Sequence, residues 1–395
     1  MPSNKAVWII GAGLAGCEAA LSLATRGIPS RVFEQKPIAR TPAQTSDDFA
    51  ELVCSNSFRA SSIENAVGVL KEEMRIAGGA LIAVADRTSV PAGGALAVDR
   101  ARFSHDVTEA VRHEPLISIV EGEVSALPSA DDASDIIVAT GPLTSDALAR
   151  ALSPLCSSGE ELYFYDAIAP IVEAGSIDMD VAYFASRYGK GDGADYVNCP
   201  LDRATYERFV DAVLGAEKVV PRDFEEARYF EGCLPIEVMA ARGRETLRFG
   251  CMKPVGLDDP RTGRWPHAVV QLRAENLERT AFNVVGFQTR MTWTAQREVF
   301  RLIPGLEGAE FLRMGSLHRN TYIDSPRLLD AQFRSKARPH LRFAGQITGV
   351  EGYVESIACG MVVAWMVAAD RAGLSFAPPP RTTAFGALYA HALGL

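Results

Sequence analysis

Residues 5–35 read KAVWIIGAGLAGCEAALSLATRGIPSRVFEQ, and the order of residue types in this stretch decides the fold. The run at 5–10 is short, apolar and partly β-branched, as a buried parallel strand would be. GAGLAG follows at 11–16, then CEAALSLATRG, where apolar residues recur at helical spacing and Gly27 stands as a stop. The next strand-like run, SRVFEQ, carries Glu34, 23 residues after Gly11. Strand, glycine turn, helix and strand with an acid at this distance together meet the conditions for a dinucleotide-binding motif. Gly11 allows the tight turn, Gly13 lets backbone approach a pyrophosphate, and Gly16 lets helix and strand pack closely. With Ala12, Leu14 and Ala15 they form a loop whose helix start favours phosphate, while Glu34 can accept hydrogen bonds from a ribose diol.

A related signal returns near the other end. LRFAGQITGVEGYVESIACGMVVAWMVAAD (341–370) reads as a strand, a glycine-bearing turn and a long apolar helix. Gly345, Gln346, Gly349 and Gly352 surround that turn, where a helix N-terminus could face an anionic part of a ligand. DIIVATGP (135–142) reads as a further strand, ending in a tight turn at Gly141. The expected fold is α/β: a Rossmann-like FAD-binding domain of the glutathione-reductase type, with an α/β domain inserted in it. The expected division is a discontinuous FAD-binding domain at 1–160 and 335–395, and an inserted substrate- and folate-side domain at 161–334.

Composition narrows the class. The 395 residues are 48% hydrophobic and 23% charged, an ordinary globular profile, and the length suits two or three domains. No stretch reads as a membrane span, and the first residues run straight into a strand with no room for a signal peptide, so a cytoplasmic protein is expected. Cysteines stand at 17, 54, 156, 199, 233, 251 and 359, an odd number with no CxxC pair, which argues against a disulfide framework and against a metal site. The net charge of -9 disfavours a surface suited throughout to nucleic acid. Residues 290–342, however, hold ten Lys/Arg against five Asp/Glu, a local basic excess suited to RNA phosphates.

Longer words carry a resemblance. GAGLAGCEAA, FAELVCSNSFR, ENAVGVLKEEMR, VPAGGALAVDR, YFEGCLPIEVMAARG, MKPVGL, GFQTRMTW, RLIPGLEGAEFLRMGSLHRNTYIDSP and FAGQITGVEGYVES occur in this order. Together they resemble the TrmFO family of folate- and FAD-dependent tRNA (uracil-5-)-methyltransferases, over about residues 6 to 386. The family is related to the flavoproteins that modify wobble uridines in tRNA. The resemblance implies that FAD, reduced by NAD(P)H, passes a one-carbon unit from methylenetetrahydrofolate to C5 of a uridine in the tRNA T-loop.

C5 of uracil is a poor nucleophile until a thiolate adds at C6, and a base must later remove the C5 proton. By family word, the nucleophile is Cys233 of EGCLP, and Cys54 of LVCSNS has a supporting acid–base role beside the flavin. Locally, Gly232 permits close backbone approach and Leu234 is pushed to extended geometry by Pro235, so the thiol is held in one direction; a structural turn would use the same residues. Lys253, Arg290, His318, Arg319 and Asn320 stand in words implied to line the folate and RNA side, where cations suit a glutamate tail or phosphates. Where relatives carry histidines and a lysine ahead of the Cys54 word, this chain reads TPAQTSDD (41–48), and it ends at GALYAHALGL, earlier than relatives do. Two alternatives stand beside the leading reading: the same cofactors serving another acceptor, a ribosomal uridine or a small molecule, or flavin binding without catalysis.

Overall fold

The computed structural model describes residues 5–155, 163–219 and 234–395, with side chains for all of these but 163–166 and 318–319. Cys233 and Cys156 therefore lie outside the described residues.

A five-stranded parallel sheet runs in the order Leu341–Phe343, Ile136–Val138, Val7–Ile10, Ser30–Glu34, Ile117–Glu121. Four strands come from the first third of the chain and the fifth from near its end, so the long excursion between them leaves the sheet and returns. The strands Val7–Ile10 and Ile136–Val138 are apolar throughout, as interior strands of a parallel sheet are. The helix Leu14–Ala24 and the long helix Tyr353–Arg371 pack face to face on this sheet. Small residues make that crossing possible: a side chain at Gly360 would enter the carbonyl of Ala15, and one at Gly345 would meet the Ala15 methyl. Tyr353–Arg371 is long and apolar enough to cross a membrane by length and composition, which sequence reading had not noted. Most of its residues are instead buried in this core.

The second sheet has six strands, all antiparallel, ordered Tyr183–Ala185, Tyr196–Leu201, Ala268–Ala274, Ala281–Val284, Ile171–Glu173, Phe311–Arg313. Its own apolar core includes Tyr206, Phe209 and Val213 of the helix Arg203–Gly215, Ile236 and Ala240 of Ile236–Ala241, and Val299 and Phe300 of Trp293–Phe300. Side-chain polar groups fasten the second sheet to the stretch between residues 56 and 100. Asn56, fully buried, donates its amide to the carbonyls of Val98 (2.8 Å) and Ala274 (2.9 Å). Arg100 forms a two-pronged ion pair with Glu275, at 2.8 and 3.1 Å. Such a pair is geometrically demanding, so it fixes the relative position of the parts it joins.

Candidate active site

The glycine turn opens a cleft enclosing about 1090 Å³ including its mouth, lined on one side by Gly11, Ala12, Gly13, Leu14 and Ala15. The three motif glycines have different jobs. At Gly11, φ is +102° and a Cβ would lie 2.8 Å from the Ala139 carbonyl oxygen, so the turn itself demands glycine. A side chain at Gly16 would drive into the carbonyl of Gly11, which makes it a packing residue. Gly13 alone has open space where a Cβ would be, its only neighbour being Ala139 O at 3.9 Å. That space faces the cleft, where a ligand's backbone approach would fill it. No side chain caps the start of the helix Leu14–Ala24, leaving its N–H groups for an anion.

Glu34 is buried at the cleft wall and takes the Ala12 N–H on one oxygen (2.9 Å) and the Lys36 N–H on the other (3.0 Å). Each carboxylate oxygen retains a lone pair, so a ribose diol can still be accepted. Lys36 and Gln44 line the same end. The Lys36 ammonium is buried, bonded to the Asp48 carbonyl and 3.6 Å from Glu51. Glu51 in turn gathers the N–H groups of Thr45 (2.7 Å) and Ser46 (3.2 Å), closing the 41–48 loop. These features fit a dinucleotide such as FAD.

Cys54 lies at the other end of the cleft with Gly141, Gln346 and Tyr353. Its loop is held from several directions at once. Tyr353 Oη accepts the N–H groups of Cys54 (2.9 Å) and Ser55 (3.2 Å). Arg100 donates to the Leu52 carbonyl, and Arg273 donates to Ser55 Oγ (2.8 Å) and Asn56 Oδ1 (2.8 Å). Burial holds the Tyr353 phenol well above its ordinary range, the nearby Cys54 adding to the effect, so it keeps its proton. Burial also lowers the Arg273 guanidinium from its usual value, opposed by Tyr196 and Glu275. The apolar neighbours of Cys54 include Val53, Leu143 and Ile168.

The other expected residues divide. Gly345 packs against the helix Leu14–Ala24, and Gly349 sits in a separate cavity with Tyr322 and His391; neither lines the cleft. Gly352, at φ +113°, starts the helix that carries Tyr353, so its part is to set that side chain. Arg290 is half-buried 3.7 Å from Glu237, whose carboxylate also takes the Arg290 N–H (2.8 Å) and the Thr289 hydroxyl (3.0 Å). Beside it, Val219 donates to the Arg290 carbonyl and Ile236 to that of Gln288. Gly315 packs between Thr289 and Ile168, a short path from this strip to the Cys54 cluster.

Asn320 is fully buried on the strand Leu317–Thr321, neither end of its amide having a partner among the described residues. The backbone of His318 and Arg319 lies on the same strand. Lys253 is exposed on a loop well outside the cleft lining. The basic excess at 290–342 divides: Arg290, Arg313, Arg334 and Arg342 are drawn inward, the last pairing with Asp135 (3.1 Å) and Asp370, whereas Arg297, Arg301, Arg327, Lys336 and Arg338 are exposed. Sequence reading missed Tyr353, Arg100, Arg273 and Lys36. Tyr353 stood inside a quoted word, but nothing local marked it as the partner of Cys54.

The model of the family described as glucose inhibited division protein A matches residues 6–375. The methylenetetrahydrofolate--tRNA-(uracil-5-)-methyltransferase TrmFO of Geobacter sulfurreducens is 61% identical over 386 residues, covering 98% of this chain and 88% of that protein. The enzyme of the same name from Anaeromyxobacter dehalogenans is 57% identical, covering 98% and 86%. Among solved structures, Aquifex aeolicus GidA superposes with a TM-score of 0.74 at 16% identity, covering 98% of this chain and 67% of that one, a likeness of fold. With identity this high over nearly the whole length, the chain belongs to the TrmFO family, within the wider glucose inhibited division protein A family.

Proposed function

We propose that this chain is a methylenetetrahydrofolate- and FAD-dependent tRNA (uracil-5-)-methyltransferase, using NAD(P)H as reductant and a T-loop uridine as acceptor. The observation that carries the reading is the meeting, in one cleft, of the dinucleotide turn with Cys54, the cysteine of the family word LVCSNS. We assign the cofactor to residues 1–160 and 335–395 and the acceptor side to 161–334, and place the reaction in the cytoplasm with its RNA.

Gly11, Gly13 and the start of the helix Leu14–Ala24 would hold the pyrophosphate, Glu34 the ribose, and the Cys54 end the reactive ring. Bound FAD supplies the two-electron exchange between NAD(P)H and the one-carbon unit. Cys233 takes the nucleophile role that its family word implies, its thiolate adding to uracil C6 and leaving again when the C5 proton is lost. Cys54, fixed through its backbone by Tyr353, is placed to hold or move a proton at the cleft mouth. Glu237 keeps the Thr289–Arg290 strip in register.

The test is transfer of label from methylene-labelled folate to C5 of an unmodified T-arm transcript, with NADPH present. Cys233→Ala should keep the yellow flavin and lose transfer. Label delivered only to another RNA or metabolite would replace the acceptor, and full activity in the variant would remove Cys233 from its role.

A further inference from the structure

Three loops from distant parts of the chain meet: residues 91–94, 186–193 and 253–256. Tyr188 stands at their centre. It is a non-glycine residue at φ 58°, in the left-handed region that tyrosine avoids, and its side chain is 62% exposed. The loop is stiffly made. Tyr188 N–H donates to Gly256 O (3.0 Å), and Ser186 N–H to Gly193 O (2.8 Å). One side of the ring lies against Gly256, where a Cβ would come within 2.6 Å of it, so that position must remain glycine. Arg187 straps the neighbouring loop by donating to the carbonyls of Val255 and Lys253. Buried Asp195 ties in the third loop through Gly93 N–H (2.6 Å), and Tyr196 Oη donates to Ala92 O (2.9 Å).

Two exposed lysines stand on the same loops. Lys190 lays its stem along Gly93 and Gly94 with its end exposed, and Lys253 is exposed on the strapped loop. The acids nearby in sequence are Asp192 and Asp258, both exposed, and Asp195, whose carboxylate is spent on Gly93. Holding a largely exposed aromatic ring in a strained backbone costs stability, which points to a ligand. None of the three residues lines the dinucleotide cleft, and small-molecule sites are concave, so the folate is a poor fit. A rigid, exposed ring on loops that also carry exposed lysines suits an unstacked nucleotide, with its base on the ring and its phosphates on the lysines. The site is also wired to the chemistry: Tyr196 touches Gly93 and interacts with Arg273, and Arg273 donates to Ser55 Oγ beside Cys54.

We propose that Tyr188, with Lys190 and Lys253, is a docking platform for an unpaired nucleotide of the RNA acceptor. This rests on the RNA reading above. The test is binding of a fluorescein-labelled T-arm stem-loop to the FAD-loaded enzyme, followed by anisotropy over a series of salt concentrations. Tyr188→Ala should weaken binding about 10-fold, while Tyr188→Phe stays near wild type. Tyr188→Asn, a residue type at ease with positive φ, should weaken it as much as alanine does, separating loss of the ring from loop strain. Lys190→Gln with Lys253→Gln should flatten the slope of log affinity against log salt by about 1–2. Flavin content and NADPH oxidation without RNA should not move. Wild-type binding that all the variants retain would overturn the platform alone, as would an effect confined to the KM for folate. Failure of the wild type to bind the stem-loop would overturn the RNA reading with it.

Discussion

Tyr353 Oη accepts hydrogen bonds from the backbone N–H of Cys54 and of Ser55, across 299 residues of sequence. One phenol thus sets the loop that carries the thiol, and burial keeps its proton on. Tyr353→Phe preserves the ring, which packs 5.9 Å from Phe58, but leaves two N–H groups without their acceptor. The expected outcome is a loss of about 1–2 kcal/mol in urea unfolding, with FAD retained and methyl transfer reduced at least tenfold. Unchanged transfer would mean that the Cys54 loop holds its place without the phenol.

The glycines of the first turn separate ligand from fold. Gly13→Ala adds a methyl group into open cleft at an ordinary backbone angle, so the apo protein should melt within a degree or two of wild type while losing its flavin. Gly16→Ala forces that methyl into the Gly11 carbonyl and should instead abolish soluble folded protein or cost about 3 kcal/mol or more. Thermal melts of apo protein, alongside flavin absorbance, distinguish the two. If both variants behave alike, the glycines do not divide in this way.

The dinucleotide half was legible because its signals are local: alternating strand, turn and helix types within 30 residues, each with its own steric reason. At Gly345, a glycine after a strand that reads locally as a ligand turn, the steric demand comes from Ala15, some 330 residues earlier in the chain. The antiparallel sheet gave only short, mixed runs, since strands such as Tyr183–Ala185 and Phe311–Arg313 are three residues long and half exposed. Family words identified Cys54, but not what holds it. Arg100, Arg273 and Tyr353 reach it from three separate segments, and their pairing is fixed by tertiary packing that leaves no period in the sequence.

Glu18 provides a pH-dependent signature of the core. It is wholly buried on the helix Leu14–Ala24 and accepts the N–H groups of Ala80 (3.1 Å) and Leu81 (2.8 Å). It thereby caps the helix Ala80–Arg87, whose own N-cap, Gly79, has no side chain to do so. Burial pushes its carboxyl up to about 7, the two N–H bonds and Arg26 only partly opposing. Between roughly pH 4.5 and 7 the folded chain therefore keeps a proton that the unfolded chain has released. Stability from this group is present at the acid end of that window and falls as pH rises through it, by about 3 kcal/mol in all. Urea midpoints of the FAD-loaded protein at pH 5, 6, 7 and 8 should therefore decline more steeply for wild type than for Glu18→Gln, which has no proton to lose. Parallel curves for the two proteins would show that Glu18 is ionised throughout the range.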